Sequence, residues 1–153
     1  AEPQLFHPGN LDYIHSVDRI SRLSNVISIN GGVQLDLMGQ ENAESTGTRQ
    51  LSGVGGQMDF LEGAYRSKGG KGFICINSSR VTKDGERKSN ILATIPGGST
   101  ISAPRTMIQY VATEYGIASL SGKTLRERAE AMASIAHPDF REELMKYAQE
   151  NFK

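Results

Sequence analysis

The chain changes character near Thr124, and this change limits the folds that it can adopt. Before Thr124, short apolar runs with the length and spacing of β-strands alternate with glycine-rich turns. After it, Leu125, Ala129 and Met132 recur at helical spacing, and Pro138 separates this segment from a second amphipathic one. The sequence therefore predicts an α/β domain, in which a sheet with few helices is closed by a C-terminal helical pair.

Hydrophobic spacing and turn residues set the predicted boundaries of the elements. Strands are predicted over residues 25–29, 33–37, 71–77, 91–95, 100–102 and 107–113, and further helices over residues 16–23 and 57–67. Asn30-Gly31-Gly32 predicts a hairpin that joins the first two strands, and the alternation of Val33, Leu35 and Leu37 with polar residues predicts that the second strand is half-buried. Asp84-Gly85 predicts another hairpin or loop tip, and Thr124 with Glu127 predicts a helix-capping box.

Length and charge exclude several classes of protein. The 153 residues predict one domain, residues 1–153, and 17 basic residues balance 17 acidic ones, which argues against a general nucleic-acid binder. No apolar run reaches the roughly 18 residues of a membrane span, and no signal peptide is visible. The single cysteine, Cys75, lies in an apolar run that predicts a buried, inert thiol. We expect a protein of the reduced cytoplasm that binds neither membranes nor nucleic acid.

Two familiar kinds of site are not expected. Gly122-Lys123-Thr124 resembles the end of a nucleotide-binding P-loop, but five residues instead of four separate it from Gly116, and Thr124 is already explained by its capping box. The three histidines, including His15, show no metal-ligand spacing, so no metal site is predicted. His137, which precedes Pro138, is interpreted as a turn residue or a helix cap.

Residues 53–56, the glycine segment, come just before a predicted helix. Gly53, Gly55 and Gly56 leave room for backbone amides to converge on an anion or an oxyanion, although a tight structural turn explains them equally well. Met58 stands where a dinucleotide fingerprint needs glycine, which excludes that reading. Lys68 and Lys71 lie near the C-terminal end of the same helix. They either stabilise that end by interacting with the helix dipole or contact a phosphate.

Glu114 follows the last predicted strand, in the sequence Thr-Glu-Tyr-Gly. A carboxylate at the end of a strand is placed where α/β proteins build their sites, although an exposed glutamate there is often only solvated. From the residues alone, the chain is an α/β domain with a glycine cradle that suits a phosphorylated or carbonyl-containing ligand.

Four runs of sequence closely resemble the C-terminal domain of the acetyl-CoA hydrolase/transferase family. They are QLDLMGQENAES (residues 34–45), SGVGGQMDF (52–60), YVATEYGI (110–117) and AHPDFR (136–141). Within this family, the chain is most similar to the 4-hydroxybutyrate and butyrate CoA-transferases. The resemblance implies an α/β fold of the CoA-transferase (NagB/RpiA-like) type, with an open sheet flanked by helices.

The resemblance also implies a reaction. Coenzyme A moves between an acyl-CoA and a free carboxylate through a glutamyl-CoA thioester, and the nucleophilic glutamate lies upstream, outside this chain. Glu114 is expected to support catalysis without being the nucleophile, while Gly55 and Gly56 face the acyl carbonyl. Gly53, Gln57, Lys68, Lys71 and His15 are the expected contacts to CoA or substrate. A side chain at Gly56 is expected to reduce turnover and to leave the fold largely intact.

The expected partners are an acyl-CoA, a short-chain carboxylate and the N-terminal half of the enzyme, with the full enzyme forming a homo-oligomer. Coenzyme A is expected as a substrate, with no permanently bound cofactor. Two alternatives remain open at this point. One is hydrolysis of acetyl-CoA by the same family, and the other is a stand-alone module that binds CoA or a nucleotide without catalysis.

Overall fold

The structure is a computed structural model that describes residue 5 and residues 7–152. Its helices are α1 (Leu11–Ile14), α2 (Val17–Arg22), α3 (Gln57–Arg66), α4 (Leu125–Ser134) and α5 (Pro138–Asn151). Its strands are β1 (Ile27–Gly31), β2 (Gln34–Asp36), β3 (Glu41–Asn42), β4 (Ser45–Thr46), β5 (Arg49–Gln50), β6 (Lys71–Cys75), β7 (Ser79–Val81), β8 (Arg87–Ser89), β9 (Ile91–Leu92), β10 (Tyr110–Thr113) and β11 (Gly116–Ser119). The predicted α/β class and the C-terminal helical pair are confirmed.

The main sheet has the strand order β1-β6-β10-β11. β1, β6 and β10 are parallel, and β11 runs antiparallel to β10. Since β1 and β6 are parallel, the chain must cross back between them, and α3 forms the last part of that connection. Four residues separate the end of α3 from the start of β6, so the start of α3 lies toward the edge where the parallel strands end.

The predicted hairpin at Asn30-Gly31-Gly32 is wrong. Asn30 and Gly31 belong to β1, and β1 pairs with β6 instead of β2. β2 joins a second sheet of order β3-β2-β9, where all three of its residues are buried. The half-buried strand expected there is therefore buried on both faces, and the Asp36 carboxylate accepts hydrogen bonds from the backbone and side-chain amides of Gln40, at 2.9 and 2.7 Å.

One face of the main sheet is covered by helices. Ile74, Val111 and Ala118 point to this face and are buried with Leu61 of α3 and Met132 of α4 in one hydrophobic core. The main sheet and the helices therefore build the core together. The periodicity of residues 57–67 predicts the buried side of α3 correctly.

The opposite face of the main sheet, which we term the open face, is uncovered in the described chain. Along β1, Ile27 and Ile29 are 50% and 67% exposed, and on β11 Ile117 is 64% exposed. Phe73 and Tyr110 stack between them with ring centroids 4.8 Å apart. The remaining side chains on this face include those of Cys75 and Ala112. Cys75 is exposed, so the expected burial of its thiol is wrong, because the apolar run 73–76 is covered on one side only.

The C-terminal helices hold the loops of the second sheet in place. The capping box of Thr124 and Glu127 is confirmed, and the His137 side chain accepts from the backbone N–H of Asp139 as the N-cap of α5. The buried guanidinium of Arg128 donates to three backbone carbonyls, those of Met38, Leu120 and Arg105, at 2.8–2.9 Å. Across the described residues, no helix has the length and apolar character that a membrane span requires.

Candidate active site

The parallel strands end beside a cleft of about 450 Å³, which we term the strand-end cleft. Ligand sites of open α/β sheets lie at this edge, because loops diverge there and leave a crevice. Its lining residues are Gly32, Cys75, Ile76, Asn77, Ala112, Thr113 and Glu114. The cleft therefore combines a short apolar floor with a carboxylate at its rim.

Glu114 lies in the two-residue turn between β10 and β11, at the edge of the cleft. Its two carboxylate oxygens accept from Ser78, one from the backbone N–H at 2.9 Å and the other from the hydroxyl at 2.6 Å. Partial burial acts to raise the pKa of Glu114, but the hydrogen bonds that the carboxylate accepts, chiefly from Ser78, and the neighbouring His137 together hold this pKa below 4.5. Glu114 is thus an oriented carboxylate at neutral pH, rather than a freely solvated one.

The glycine segment leads directly into α3 and is largely exposed. Gly55 has a φ of 60°, a conformation that favours glycine, and Gly56 is the N-cap. Within residues 7–152, no hydrogen bond is donated by a backbone amide of residues 53–59. Free amides at the positive end of a helix dipole can stabilise an anion, which fits the cradle interpretation.

His15 packs onto this segment. A Cβ at Gly56 would lie 2.2 Å from Cε1 of the imidazole, and Nδ1 of His15 lies 3.4 Å from the carboxylate of Asp59. His15 and Gly56 are therefore brought together, as a shared site requires. A side chain at Gly56 must displace the imidazole, so it would change the local packing of His15, while the expectation that the rest of the fold stays intact remains a prediction.

Glu41 is the residue of this region that sequence reasoning missed. It is fully buried on β3, and its Oε2 accepts a short hydrogen bond from the Gln57 side chain at the start of α3. Oε1 has no hydrogen-bond partner in the described chain and would lie 2.8 Å from a Cβ at Gly32. Burial raises the pKa of Glu41 from 4.5 to about 8, and the hydrogen bond from Gln57 offsets only part of that rise.

Gln57 lies at the start of α3, far from Lys68 and Lys71, which follow the end of that helix. The Gln57 side chain points inward to Glu41, so in this structure it supports the glycine segment from below. Lys68 and Lys71 lie where β6 begins, about 13 Å along a five-residue strand from the cleft. Gly69, with a φ of 77°, lies between the two lysines in the turn that follows α3. A contact of either lysine with CoA therefore stays a prediction, and it would have to involve a part of CoA remote from the cleft.

A search of the described residues finds no cluster of three or more His, Cys, Asp and Glu side chains that could hold a metal ion. The available chemistry is that of an oriented carboxylate, free backbone amides and a buried acid. Together with the parallel sheet, these features define an α/β domain whose groups suit a carbonyl or anionic ligand at the carboxyl edge of its strands.

The chain belongs to the acetyl-CoA hydrolase/transferase C-terminal domain family, whose model matches residues 3–148. The resemblance inferred from the sequence motifs is thereby confirmed. The match includes the glycine segment, Glu41 and Glu114, so all of the groups described above lie inside the family domain.

Proteins similar to this chain include CoA-transferases. The chain is 47% identical over 139 residues to the butyryl-CoA:acetate CoA-transferase of Anaerostipes caccae, covering 91% of this chain and 31% of the relative. It is 47% identical over 143 residues to the 4-hydroxybutyrate coenzyme A transferase of Clostridium kluyveri, covering 94% and 33%. The crystal structure of RipA from Yersinia pestis superposes with a TM-score of 0.79 at 39% identity, covering 91% of this chain and 30% of that one. The chain thus spans about a third of the length of these proteins.

Proposed function

We propose that this chain is the C-terminal domain of a CoA-transferase that moves CoA between a short-chain acyl-CoA and a free carboxylate. The observation that carries the proposal is that an oriented Glu114 and free glycine-segment amides occur in one domain, which is 47% identical to a butyryl-CoA:acetate CoA-transferase. Butyryl, 4-hydroxybutyryl and acetyl groups are the acyl groups we propose, and coenzyme A acts as substrate rather than as a resident cofactor.

The proposed reaction uses a glutamate outside this chain as the nucleophile. Its carboxylate attacks the thioester carbonyl, the C–S bond breaks, and CoA leaves as a thiolate while a mixed anhydride of the glutamate and the acyl group remains. The thiolate then attacks the glutamyl carbonyl, which releases the first carboxylate and leaves a glutamyl-CoA thioester. The acceptor carboxylate reverses these two steps and leaves as the new acyl-CoA.

This chain would stabilise the charge that develops in those steps. Each tetrahedral intermediate carries an oxyanion, and backbone amides fixed at the start of α3 can donate to it without reorganising. Loss of one such donor usually costs on the order of 100-fold or more in turnover. Glu114, fixed by Ser78, would orient the substrate or the incoming glutamate from the rim of the cleft.

The open face supplies an attachment surface for the rest of the enzyme. The matched relatives are about three times as long as this chain, and the strand-end cleft borders the open face at Cys75 and Ala112. A stacked aromatic pair between exposed isoleucines is costly to leave in water. We propose that the other two-thirds of the same enzyme cover this face and bring the nucleophile to the cleft.

A chimera tests the proposal directly. This chain replaces the matched segment of the Anaerostipes caccae enzyme, and CoA exchange between butyryl-CoA and acetate is measured. We expect transfer by the chimera, and none by this chain alone or by the truncated recipient. An inactive but folded chimera would contradict the proposal, and turnover by the isolated chain would contradict the placement of the nucleophile outside it.

The same assay separates transfer from hydrolysis. A transferase forms acetyl-CoA in step with butyryl-CoA loss and releases little free thiol without acetate. A hydrolase releases free CoA thiol at the same rate whether or not acetate is present. The latter result would favour the acyl-CoA hydrolase alternative for this domain.

A further inference from the structure

Glu41 lies between the two parts of the site. On one side, its Oε1 lies against Gly32, which lines the strand-end cleft. On the other side, its Oε2 accepts from Gln57, the first residue of α3 and the one that follows the glycine segment. The Glu41 carboxyl therefore connects the floor of the strand-end cleft to the start of α3.

The backbone around Glu41 is fixed independently of its carboxyl. Its N–H donates to the carbonyl of Ala103 at 3.0 Å, and its own carbonyl accepts from Ser102 at 2.8 Å. β3 also pairs with β2, where Leu35 stands opposite Glu41. A residue with this many backbone contacts does not need a buried carboxyl to hold its strand, so the side chain calls for another explanation.

An apolar side chain would be the ordinary choice at a fully buried position. An acid there must lose its hydration, and one of its oxygens finds no hydrogen-bond partner among the described residues. The Gln57 side chain replaces the lost hydration of only one Glu41 oxygen. The hydrogen bond that it donates also fixes the Gln57 side chain at the start of α3. Such a costly polar contact beside a glycine segment is typical of a group that holds a site in shape.

We propose that Glu41 is a positioning residue for the CoA-transfer site, which through Gln57 holds the glycine segment at a fixed distance from the strand-end cleft. This proposal rests on the proposed function for its catalytic consequence, but its structural part does not. With the Glu41–Gln57 contact intact, the start of α3 and the amides of residues 53–56 before it keep one position relative to the cleft. Without it, the first turn of α3 can fray and the amides lose their alignment.

The protonated acid is the form that suits this role. The groups that face the Glu41 carboxyl are Gln57 and Gly32, and neither can titrate. The elements packed around Glu41 carry two other carboxylates, and both have partners elsewhere. Asp36 of β2 accepts a hydrogen bond from Gln40, and Asp59 of α3 lies beside His15 at the surface side of the helix. Ionisation would leave a charge on an unpartnered oxygen, which favours opening of the contact to water.

The structural part of the proposal is tested by amide hydrogen exchange on the isolated chain. The Phe60 N–H donates to the Gly56 carbonyl in the first turn of α3, and the Ser67 N–H donates to the Gly63 carbonyl at the other end. We expect Glu41→Leu to accelerate exchange at Phe60 tenfold or more and to leave Ser67 unchanged. Glu41→Gln, which keeps a hydrogen-bonding group, should recover most of the protection. Equal exchange at Phe60 in all three proteins would overturn the proposal.

The catalytic part is tested in the chimeric transferase. Glu41→Leu should lower kcat by about 10- to 100-fold with a KM for butyryl-CoA within about threefold of the parent, and Glu41→Gln should recover most of kcat. The parent kcat should fall above pH 8 and that of Glu41→Gln should not, while the surface variant Glu62→Gln should follow the parent. Glu62 is the control because it lies on α3, half-buried, in an ion pair with the exposed Arg66.

The outcomes separate this inference from the proposed function. An inactive parent chimera would contradict the proposed function, and the exchange measurement would still decide the role of Glu41. An active parent whose kcat and pH profile are unchanged by both substitutions would overturn the catalytic role. If Glu41→Leu does not fold, Glu41→Gln and the pH profile carry the test, and an unshifted profile would contradict the proposal.

Discussion

The imidazole of His15 occupies the space that any side chain at Gly56 would need. A Cβ built on Gly56 would lie 2.2 Å from Cε1 and 2.4 Å from Nδ1 of that ring. The ring is also held by an edge contact with Phe60, at 5.2 Å between centroids. Gly56 therefore allows the segment between α1 and α2 to close onto the start of α3.

Gly56→Ala should destabilise the chain by about 1–3 kcal/mol, because the added methyl group overpacks a contact that His15 already fills. Urea unfolding measures the loss. The double variant with His15→Ala should recover most of it, since the smaller residue vacates the space. Gly53→Ala is the matched control, because its Cβ would meet nothing within 4 Å. Additive losses in the double variant would show that the contact is not responsible.

How far sequence reasoning reaches depends on how local each interaction is. The Thr124–Glu127 capping box and the Asp84-Gly85 hairpin tip between β7 and β8 depend on residues close together in the chain, and both predictions are confirmed. The Asn30-Gly31-Gly32 hairpin is wrong, because β1 finds its partner in β6, more than 40 residues away, and that pairing leaves no local signal.

The site shows the same limit. Glu114 and the glycine segment could be selected from strand ends and glycine spacing, and the structure places both at the carboxyl edge of the sheet. Glu41 could not be selected, because its burial depends on β2, on the bridge to Ala103 and on α3 meeting around it. In the sequence it is one polar residue in a polar stretch.

Glu114→Gln is expected to reduce turnover of the chimeric transferase by roughly 10- to 1000-fold, the range of a positioned acid–base or orienting group. Its effect on stability should stay below about 1 kcal/mol, because the carboxylate is largely exposed and solvent screens it. Turnover and urea unfolding of the same variant measure both. Glu86→Gln, which removes an exposed carboxylate paired with Lys88, serves as the control. Unchanged turnover would return Glu114 to the role of a capping group for Ser78.

Stability of the chain should fall between about pH 4.5 and 8 because of Glu41. In the unfolded chain this carboxyl ionises near its ordinary value of 4.5, whereas in the folded chain its pKa is about 8. The folded state thus binds one more proton in this interval, so the free energy of unfolding falls by up to about 1.4 kcal/mol per pH unit from this group. Above pH 8 the contribution is lost and the slope disappears.

Glu41→Gln isolates this effect, because it removes the titration and keeps a buried polar group. The difference in unfolding free energy between the parent and Glu41→Gln should change steadily from pH 5 to 8 and then level off. Urea unfolding at half-unit steps of pH measures it. A constant difference over the whole range would mean that Glu41 is not a protonated acid in the folded chain.

Cys75 offers a direct probe of the open face, since it is the chain's only cysteine and its thiol is exposed. It lies beside Ala112 in the strand register, next to the strand-end cleft. We expect an aromatic disulfide reagent to modify Cys75 rapidly in the isolated chain. In the chimeric transferase, where the recipient's own cysteines are replaced, the rate should fall by at least tenfold, because the rest of the enzyme covers this face.

A second thiol distinguishes coverage of the face from a general loss of reactivity. Lys88→Cys/Cys75→Ser places the thiol on the exposed hairpin of β7 and β8, which forms a sheet of its own, and its rate of modification should be the same in both proteins. Ile29→Asp on the open face should weaken domain docking and restore the reactivity of Cys75, because a carboxylate would be buried against apolar groups without a partner. If Cys75 reacts equally fast in the isolated chain and in an active chimera, the remainder of the enzyme does not cover this face, and the nucleophile must reach the strand-end cleft from its other side.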